Sequence, residues 1–356
     1  MSFCWPVFCV KKPLKFEQNG GIISNIVKLL NCCAKYSYFY VKWIFKGALM
    51  LSLILAKKIF SLFLIMIMSM SLVRLKIVKA SDSKIMSILL LYLFFPCVII
   101  ESFQVNFTPE IQHGLLLSTI AAVIVQALLL FLGIFWKRVL NLNAVEQCSV
   151  IYSNAGNLII PLVIAVLGPE WVIYSSTFLA VQLVLFWTHM KSTMAREPHM
   201  DWKAVFTNAN MIAIFIGLIL LFTGWRMPEP VNDAFHALGL VIGPSAMIIA
   251  GMLLGNMSWE KIKSYKRVPL VAFLRLIVMP LMVLVFLKYS GLSSFSPDGE
   301  TILLITLLAT ATPSATTCVS MASLFDNQPE YASVINVVTA TLCTITMPFI
   351  VWIYQL

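Results

Sequence analysis

The sequence predicts an all-helical integral membrane protein, and three observations support that prediction. First, hydrophobic residues make up 60% and charged residues 11% of the 356 positions, a composition that excludes a soluble globular protein. Second, the apolar residues form ten segments, each close to the ~20 residues that a helix needs to cross a bilayer. Third, two of these segments carry amides, glycine or proline near their middles, which an unbroken lipid-facing helix does not tolerate.

The apolar segments follow one another closely from residue 50 onward. Residues 1–49 contain seven lysines but only one acidic residue, Glu17, and no cleavage site typical of a signal peptide. A single helix from Tyr38 to Val73 would be roughly 54 Å long against about 30 Å of hydrocarbon, so we interpret residues 1–49 as an N-terminal extension that does not cross the membrane. Met50 opens a sequence typical of a natural start, which predicts that the extension is an over-extended reading frame. We place the segments at residues 53–73, 84–103, 114–136, 145–167, 171–190, 204–224, 231–254, 268–287, 301–325 and 331–354.

Charges in the loops predict an orientation, since short cytoplasmic loops collect Lys and Arg. Basic residues follow the first, third, fifth and seventh segments, whereas the alternate loops carry mostly acidic residues. This alternation places both ends of the ten-segment body on the non-cytoplasmic side, and the short loops favour a bacterial inner membrane. The basic residues that define the cytoplasmic side are Arg74, Lys76, Lys79, Lys84, Lys137, Arg138, Lys191, Arg196, Lys203, Lys261, Lys263, Lys266 and Arg267.

A weak internal repeat relates the two halves of the chain. The tripeptide Pro-Glu-Trp, after the fourth segment, recurs as Pro-Glu-Tyr after the ninth, and prolines Pro96 and Pro244 interrupt the second and seventh segments. Because each copy has five segments, an odd number, the second copy enters the membrane from the opposite side, a design common among secondary transporters. We therefore divide the body into repeats at residues 50–190 and 204–356, joined by a short cytoplasmic linker at 191–203.

Two interrupted segments form the predicted functional site. The fourth carries Ser-Asn-Ala-Gly-Asn-Leu-Ile-Ile-Pro at 153–161, and the ninth carries Ala-Thr-Pro-Ser-Ala-Thr-Thr at 311–317. Breaks at membrane depth leave half-helix N-termini, whose free amides and positive partial charge suit a carboxylate. An alternative stays open, in which these polar groups only hydrogen-bond one another across helices. The predicted substrate-binding residues of the two breaks are Asn154, Asn157, Pro161, Pro313, Ser314, Thr316 and Thr317.

Arg275 is the one basic residue clearly inside a segment, eight residues beyond Arg267 and so roughly 12 Å deeper along a helix. An intramembrane charge indicates a functional role by default, so we add Arg275 to the predicted substrate-binding set. The alternative is that its side chain extends back to the cytoplasmic surface. Single polar residues in other segments are expected to form hydrogen bonds between helices; they are Gln126, Gln182, Asn210 and His236.

Several classes of protein find no support in the sequence. It has no Walker motif, no zinc-protease or serine-hydrolase motif, and no His/Cys spacing typical of a metal site. We therefore predict neither an enzyme nor a bound metal or cofactor, and no nucleic-acid partner. No segment carries a central Asp or Glu, and Glu101 and Glu146 lie near segment ends, where an interfacial position is expected. Proton coupling would have to use such an acid or the substrate itself, or be absent.

The motifs of the two breaks resemble those of the auxin efflux carrier family over residues 50–356. The resemblance is carried by Asn-x-Gly-Asn-Leu-x-x-Pro in the fourth segment, the Leu-Gly-Pro-Glu turn after it, Arg275 with Pro280, and the run Thr-Pro-Ser-Ala…Pro-Glu-Tyr-Ala-Ser near the C-terminus. It implies ten spans in two inverted repeats, similar to sodium/proton antiporters and bile-acid symporters. Segments 4 and 9 would cross in a transport domain of segments 3–5 and 8–10, against a scaffold of segments 1, 2, 6 and 7 that forms homodimer contacts.

The resemblance also implies elevator-like transport of an organic anion, and the bacterial members it points to are described as malate-type permeases. Asn154, Asn157 and Pro161 match the first crossover, and Pro313 with Ser314 the second, whereas the long central loop of the plant exporters is absent. The sequence thus predicts a secondary carrier for a small mono- or dicarboxylate. Two alternatives stay open: a sodium- or proton-coupled symporter of the same fold, and a non-transporting membrane sensor or channel.

Overall fold

The computed structural model describes residues 60–196, 202–255 and 264–355, together with the single residues 57 and 260. Within these ranges the chain is helical, and the extended pairing consists of one isolated antiparallel bridge between Ser153 and Ser314. The predicted extension at 1–49, the start of the first segment and the middle of the linker lie outside the described residues.

Twelve helices, numbered in chain order, account for the apolar segments. Six of those described, α2, α3, α6, α8, α9 and α12, are long and apolar enough to cross a membrane. The helices are α1 (Phe60–Arg74), α2 (Ala80–Ser102), α3 (Pro109–Leu140), α4 (Ala144–Ile151), α5 (residues 155–166), α6 (Pro169–Ala195), α7 (Ala209–Thr223), α8 (Glu229–Gly255), α9 (Val268–Tyr289), α10 (Gly299–Ala311), α11 (Thr316–Leu324) and α12 (Pro329–Gln355).

Each predicted segment coincides with one described helix, or with two where the segment was expected to be broken, and there is one further interruption. A short helix, Trp202–Phe206, precedes α7, so the predicted segment at 204–224 is not continuous. Asn208 causes the interruption because its side chain accepts a hydrogen bond from the backbone N–H of Asn210 at 2.9 Å and caps the start of α7. Asparagine is among the residues preferred at such caps.

Helix α8 lies against α1 through two small residues one turn apart. A Cβ atom added at Gly251 would overlap the backbone carbonyl of Met66, and one added at Gly255 would lie 2.6 Å from the Cβ of Val73. Small residues at such positions let helix backbones approach closely. Helices α7 and α8 also pack against α2, whereas α3 packs against α6 and α10, and α12 packs against α9, α10 and α11.

Four helices contain a π-helical turn, in which one extra residue is accommodated per turn. These turns are Leu90–Phe94 in α2, Ala155–Ile159 in α5, Phe186–Met190 in α6 and Leu274–Val278 in α9. Such turns occur frequently at functional sites. Two of them lie at the predicted site, since one opens α5 directly after the first break and another carries Arg275.

Candidate functional site

The fourth and ninth predicted segments are both broken, but the breaks are shorter than the motifs that predicted them. Only residues 152–154 separate α4 from α5, and residues 312–315 separate α10 from α11. Asn157 and Pro161 therefore lie within α5, and Thr316 and Thr317 begin α11, which corrects the predicted extents of 153–161 and 311–317. Pro161 fits inside α5 because it stands in the first turn of the α-helical stretch Ile160–Val166, where a missing N–H is tolerated.

The two breaks cross and pair with each other. The backbone N–H of Asn154 donates to the carbonyl of Pro313 at 2.8 Å, and the N–H of Ala315 donates to the carbonyl of Tyr152 at 3.0 Å. Unwound backbone inside a membrane needs internal partners of this kind, because no water is available to hydrogen-bond it. The prediction that both breaks meet at one place is confirmed.

Amide side chains from the following helices hold each break. Gln182 of α6 donates to the carbonyl of Ser153 at 2.6 Å and accepts from its hydroxyl at 2.7 Å. Asn336 of α12 donates to the carbonyl of Ser314 at 2.6 Å, and the N–H of Ser314 donates to Thr339 Oγ1 at 3.2 Å. Sequence reasoning missed Asn336 and Thr339. The one signal for Asn336 is that it is the single side-chain amide of the last apolar segment.

The interhelical bonds expected from single polar residues form in most cases. Gln126 of α3 donates to Gln182 Oε1 at 3.2 Å. His236 of α8 and Glu101 of α2 lie 2.8 Å apart. The side-chain oxygen of Asn210, in contrast, is buried without a hydrogen-bond partner in the described part of the chain. These bonds tie α3 to α6 and α2 to α8.

Arg275 lies behind the crossing and is completely buried. Its guanidinium donates to the carbonyl of Thr312 from Nε and Nη2, both at 3.1 Å, and from Nη2 to the carbonyl of Thr310 at 2.6 Å. Its Nη1 donates to the carbonyls of Val150 and Ile151 at 3.1 and 3.2 Å. The alternative that this side chain extends to the cytoplasmic surface is wrong, because backbone carbonyls of both breaks retain it in the interior.

The half-helices divide the crossing into two electrostatically different sides. The C-terminal carbonyls of α4 and α10, which carry negative partial charge, face Arg275. The N-terminal ends of α5 and α11, which carry positive partial charge, lie beside a cavity of about 70 Å³. Asn154, Pro313, Thr316 and Asn336 line the polar end of this cavity. A volume of this size holds a few water molecules in the present conformation.

The remaining lining of the cavity is almost entirely apolar and comes from α1, α5, α8 and α12. No lining residue in the described ranges carries a charge, and Arg275 is not among them. The structure thus places Arg275 away from the cavity that the sequence-based interpretation assigned to it. The other lining residues are Leu62, Phe63, Met66, Leu158, Leu162, Ala246, Met247, Ile249, Ala250, Leu253, Ala340, Cys343, Thr344 and Met347.

The predicted site residues of the two breaks do not all face the cavity. Asn154, Pro313 and Thr316 face the cavity, and Thr316 Oγ1 donates to Asn154 Oδ1 at 3.4 Å. Ser314 is buried in the bridge itself, and Thr317 is half-buried in the first turn of α11.

Pro161 lies against α8, where a Cβ at Gly243 would come within 3.0 Å of the proline Cβ. Asn157 lies in the π-helical turn of α5, and its side chain is outside the part that the structure describes.

The start of α4 is anchored by a buried acid. Glu146 is 1% exposed, so its carboxylate is enclosed by the protein although it lies near the end of a predicted segment. It forms a capping box with Asn143, accepts from Tyr331 of α12 at 2.8 Å, and pairs with Arg267 at 3.1 Å. A buried carboxylate needs such partners, because desolvation without them is unfavourable. The ion pair and the tyrosine fix α4 to α9 and α12.

A helical membrane protein in which each half of the chain supplies one broken helix to a common crossing has the architecture of a membrane transporter. The family model described as membrane transport protein matches residues 54–200 and 194–351 of the chain. The chain therefore belongs to this family of membrane transport proteins, the auxin efflux carrier family that its motifs resemble. No curated protein matches the chain significantly.

Proposed function

We propose that the protein is a secondary carrier for a small organic anion, related to the bacterial malate-type permeases and acting in a bacterial inner membrane. Its ten helical segments would span the membrane as two inverted repeats, 50–190 and 204–356. Helices α3–α6 and α9–α12 form the transport domain, and α1, α2, α7 and α8 form the scaffold and the homodimer contact. Transport proceeds by an elevator-like movement of the first domain against the second.

The placement of the half-helix ends, with the C-terminal ends at Arg275 and the N-terminal ends at the cavity, supports an anion as the substrate. Arg275 neutralises the C-terminal ends of α4 and α10, whereas the N-terminal ends of α5 and α11 lie beside a cavity whose described lining residues carry no charge. The positive partial charge and the backbone amides of helix N-termini favour carboxylates. Asn154, Asn157, Thr316 and Thr317 add polar groups there, with Pro161, Pro313 and Ser314 shaping the backbone.

The lining of the cavity favours one carboxylate over two. Only four of the described lining residues, Asn154, Thr316, Asn336 and Thr344, carry polar side chains, and the others are apolar, such as Phe63 and Met247. A second carboxylate would meet this apolar surface without hydrogen-bond donors, which is unfavourable by several kcal/mol. We therefore propose a monocarboxylate with an apolar body as the preferred substrate, and a dicarboxylate such as malate as a poorer one.

Counterflow into liposomes tests the proposed substrate class. Purified protein is reconstituted with internal unlabelled mono- or dicarboxylate at fixed pH and sodium, and accumulation of the labelled acid is followed. We expect accumulation of apolar monocarboxylates, and about a 10- to 100-fold loss of apparent affinity in Asn154→Ala or Asn157→Ala, the range for a hydrogen bond to a charged group.

Asn210→Ala serves as the matched control, since it removes a buried amide on α7, away from the cavity. The control should transport like the parent. No exchange of any carboxylate by protein shown to be folded would contradict the carrier function, and loss of folding in Asn154→Ala and Asn157→Ala alike would support a purely structural role.

A further inference from the structure

Arg275 is surrounded by the type of oxygen atoms that bind a metal cation. All of its hydrogen bonds go to backbone carbonyls, those of Val150, Ile151, Thr310 and Thr312, at 2.6–3.2 Å. No carboxylate in the described part of the chain pairs with it. A fully buried charge without an acidic partner is retained only where other groups supply the compensating negative charge.

The two half-helices supply that charge. The C-terminal end of a helix carries about half a negative elementary charge, and α4 and α10 both end at Arg275. Two such ends amount to roughly one negative charge, which a single guanidinium offsets. Without a cation, these ends would repel each other in a region from which water is excluded, and the crossing would be unfavourable.

Only a planar cation with several donor nitrogens contacts all of these carbonyls at one time. The guanidinium presents five donors in a fixed plane, and Arg275 uses Nε and both terminal nitrogens to contact the two helices. Lysine, a point charge on a flexible chain, would satisfy fewer carbonyls at one time.

In transporters with broken helices, unwound carbonyls and half-helix C-terminal ends are the groups that coordinate the coupling ion. Here a side chain of the protein occupies those groups. We propose that Arg275 is a built-in cation that takes the place of a coupling ion, so that the transport cycle requires no sodium. Arg275 is thus a positioning residue that acts through the two breaks and does not touch the substrate. The inference rests on the carrier function proposed above, but its first test does not.

The first test is the thermal stability of the purified full chain in detergent, measured in sodium chloride and in choline chloride. We expect the parent to have the same Tm in both salts. Arg275→Met should lower Tm by about 6–20 °C, because the buried carbonyls at the ends of α4 and α10 lose their cation, as when one partner of a buried ion pair is removed. Sodium or low-millimolar methylguanidinium should restore part of that loss in this variant alone, because each can enter the vacated carbonyl site.

Two further variants provide the comparisons. Arg275→Lys keeps the positive charge but not the planar set of donors, and its Tm should lie between those of the parent and Arg275→Met. Lys266→Met removes an exposed positive charge just before the same helix, and it should behave like the parent in every salt. An Arg275→Met protein with the Tm of the parent, or one whose Tm responds to neither cation, would overturn the proposal.

The second test is counterflow with the parent protein in sodium and in choline, and it remains available if Arg275→Met does not fold. Equal rates within about twofold are expected, and a larger dependence on sodium would overturn the proposal. Failure of the carrier function can be distinguished from failure of the Arg275 proposal. If Tm responds to the salts as expected but no carboxylate is exchanged, the carrier function is contradicted and the role of Arg275 still holds.

Discussion

Two amide side chains hold the two breaks in the same way, but only one of them faces the cavity. Gln182 and Asn336 each donate to the carbonyl of a bridge serine at 2.6 Å. Gln182 is buried on the side of α6 that faces α3, where it accepts from Gln126, whereas Asn336 also lines the cavity. Substitution of the two residues therefore distinguishes the effect of disturbing the crossing on stability from the effect of disturbing the cavity on substrate binding.

We expect Gln182→Ala and Asn336→Ala both to lower thermal stability, because each leaves a buried carbonyl without its donor, a loss of about 1–3 kcal/mol. Only Asn336→Ala should also raise the KM for the transported acid. The measurements are Tm in detergent and the concentration dependence of counterflow. An equal rise in KM in both variants would show that Asn336 acts only through the crossing.

At this scale the sequence predicted positions better than partners. The positions of Arg275 inside an apolar segment and of Asn154 at a break followed from the sequence, whereas the sequence left open whether the Arg275 side chain extends to the surface. The acceptors of Arg275 did not follow from the sequence, since they are backbone carbonyls up to 125 residues away in the chain. The enclosure of Glu146 by the protein did not follow either, because its partners Arg267 and Tyr331 are both distant in sequence.

Among the elements, α1 and α8 approach each other closely along the cavity wall. Leu62, Phe63 and Met66 of α1 line the cavity from this contact, together with residues of α8. Gly251 permits the approach because any side chain there would meet the backbone of α1 rather than a movable side chain. The position of α1 therefore depends on one missing methyl group.

We expect Gly251→Ala to destabilise the protein by about 1–3 kcal/mol, the usual effect of overpacking, and to change the counterflow rate because α1 is displaced from the cavity. Gly239→Ala, on the same helix, is the matched control: its added Cβ would meet a methyl group of Val98 at 3.0 Å, and that side chain can move. Equal effects of the two substitutions on Tm would contradict this interpretation.

The elements themselves were largely predictable, because long apolar runs separated by charged loops determine where helices lie. The lengths of the breaks were not. Asn157, Thr316 and Thr317 are polar and therefore suggested unwound backbone, but the first turn of a helix accepts polar residues because its amides are unpaired. The interruption at Asn208 was missed because one cap residue changes the hydropathy of a segment very little.

For the whole molecule, the proposed movement of one domain against the other can be stopped by a covalent link. A Cβ at Gly243 of α8 would lie 3.0 Å from the Cβ of Pro161 in α5, and one at Gly251 would lie 2.9 Å from the Cβ of Ser69 in α1. Both pairs need a shift of about 0.5–1 Å to reach disulfide geometry. The first pair joins the proposed transport domain to the scaffold, and the second lies within the scaffold.

We expect oxidation of the double variant Gly243→Cys/Pro161→Cys to abolish counterflow, and a reductant to restore it. The matched variant Gly251→Cys/Ser69→Cys already carries an added side chain at position 251, so it is compared with its own reduced form: its counterflow rate should be the same before and after oxidation, with both disulfides verified by mass spectrometry. Undiminished transport by the oxidised first variant would show that α5 and α8 do not move apart during the cycle.

The bridge between Ser153 and Ser314 sets the order in which the protein is completed during its synthesis. Its partners are 161 positions apart, so at about 5–20 residues per second the ribosome needs roughly 8–30 s to supply the second after the first. Throughout that interval the first break has none of its backbone partners from the second half. The N-terminal half of the chain therefore reaches its final conformation only after residue 314 has been synthesised, and the two halves mature together.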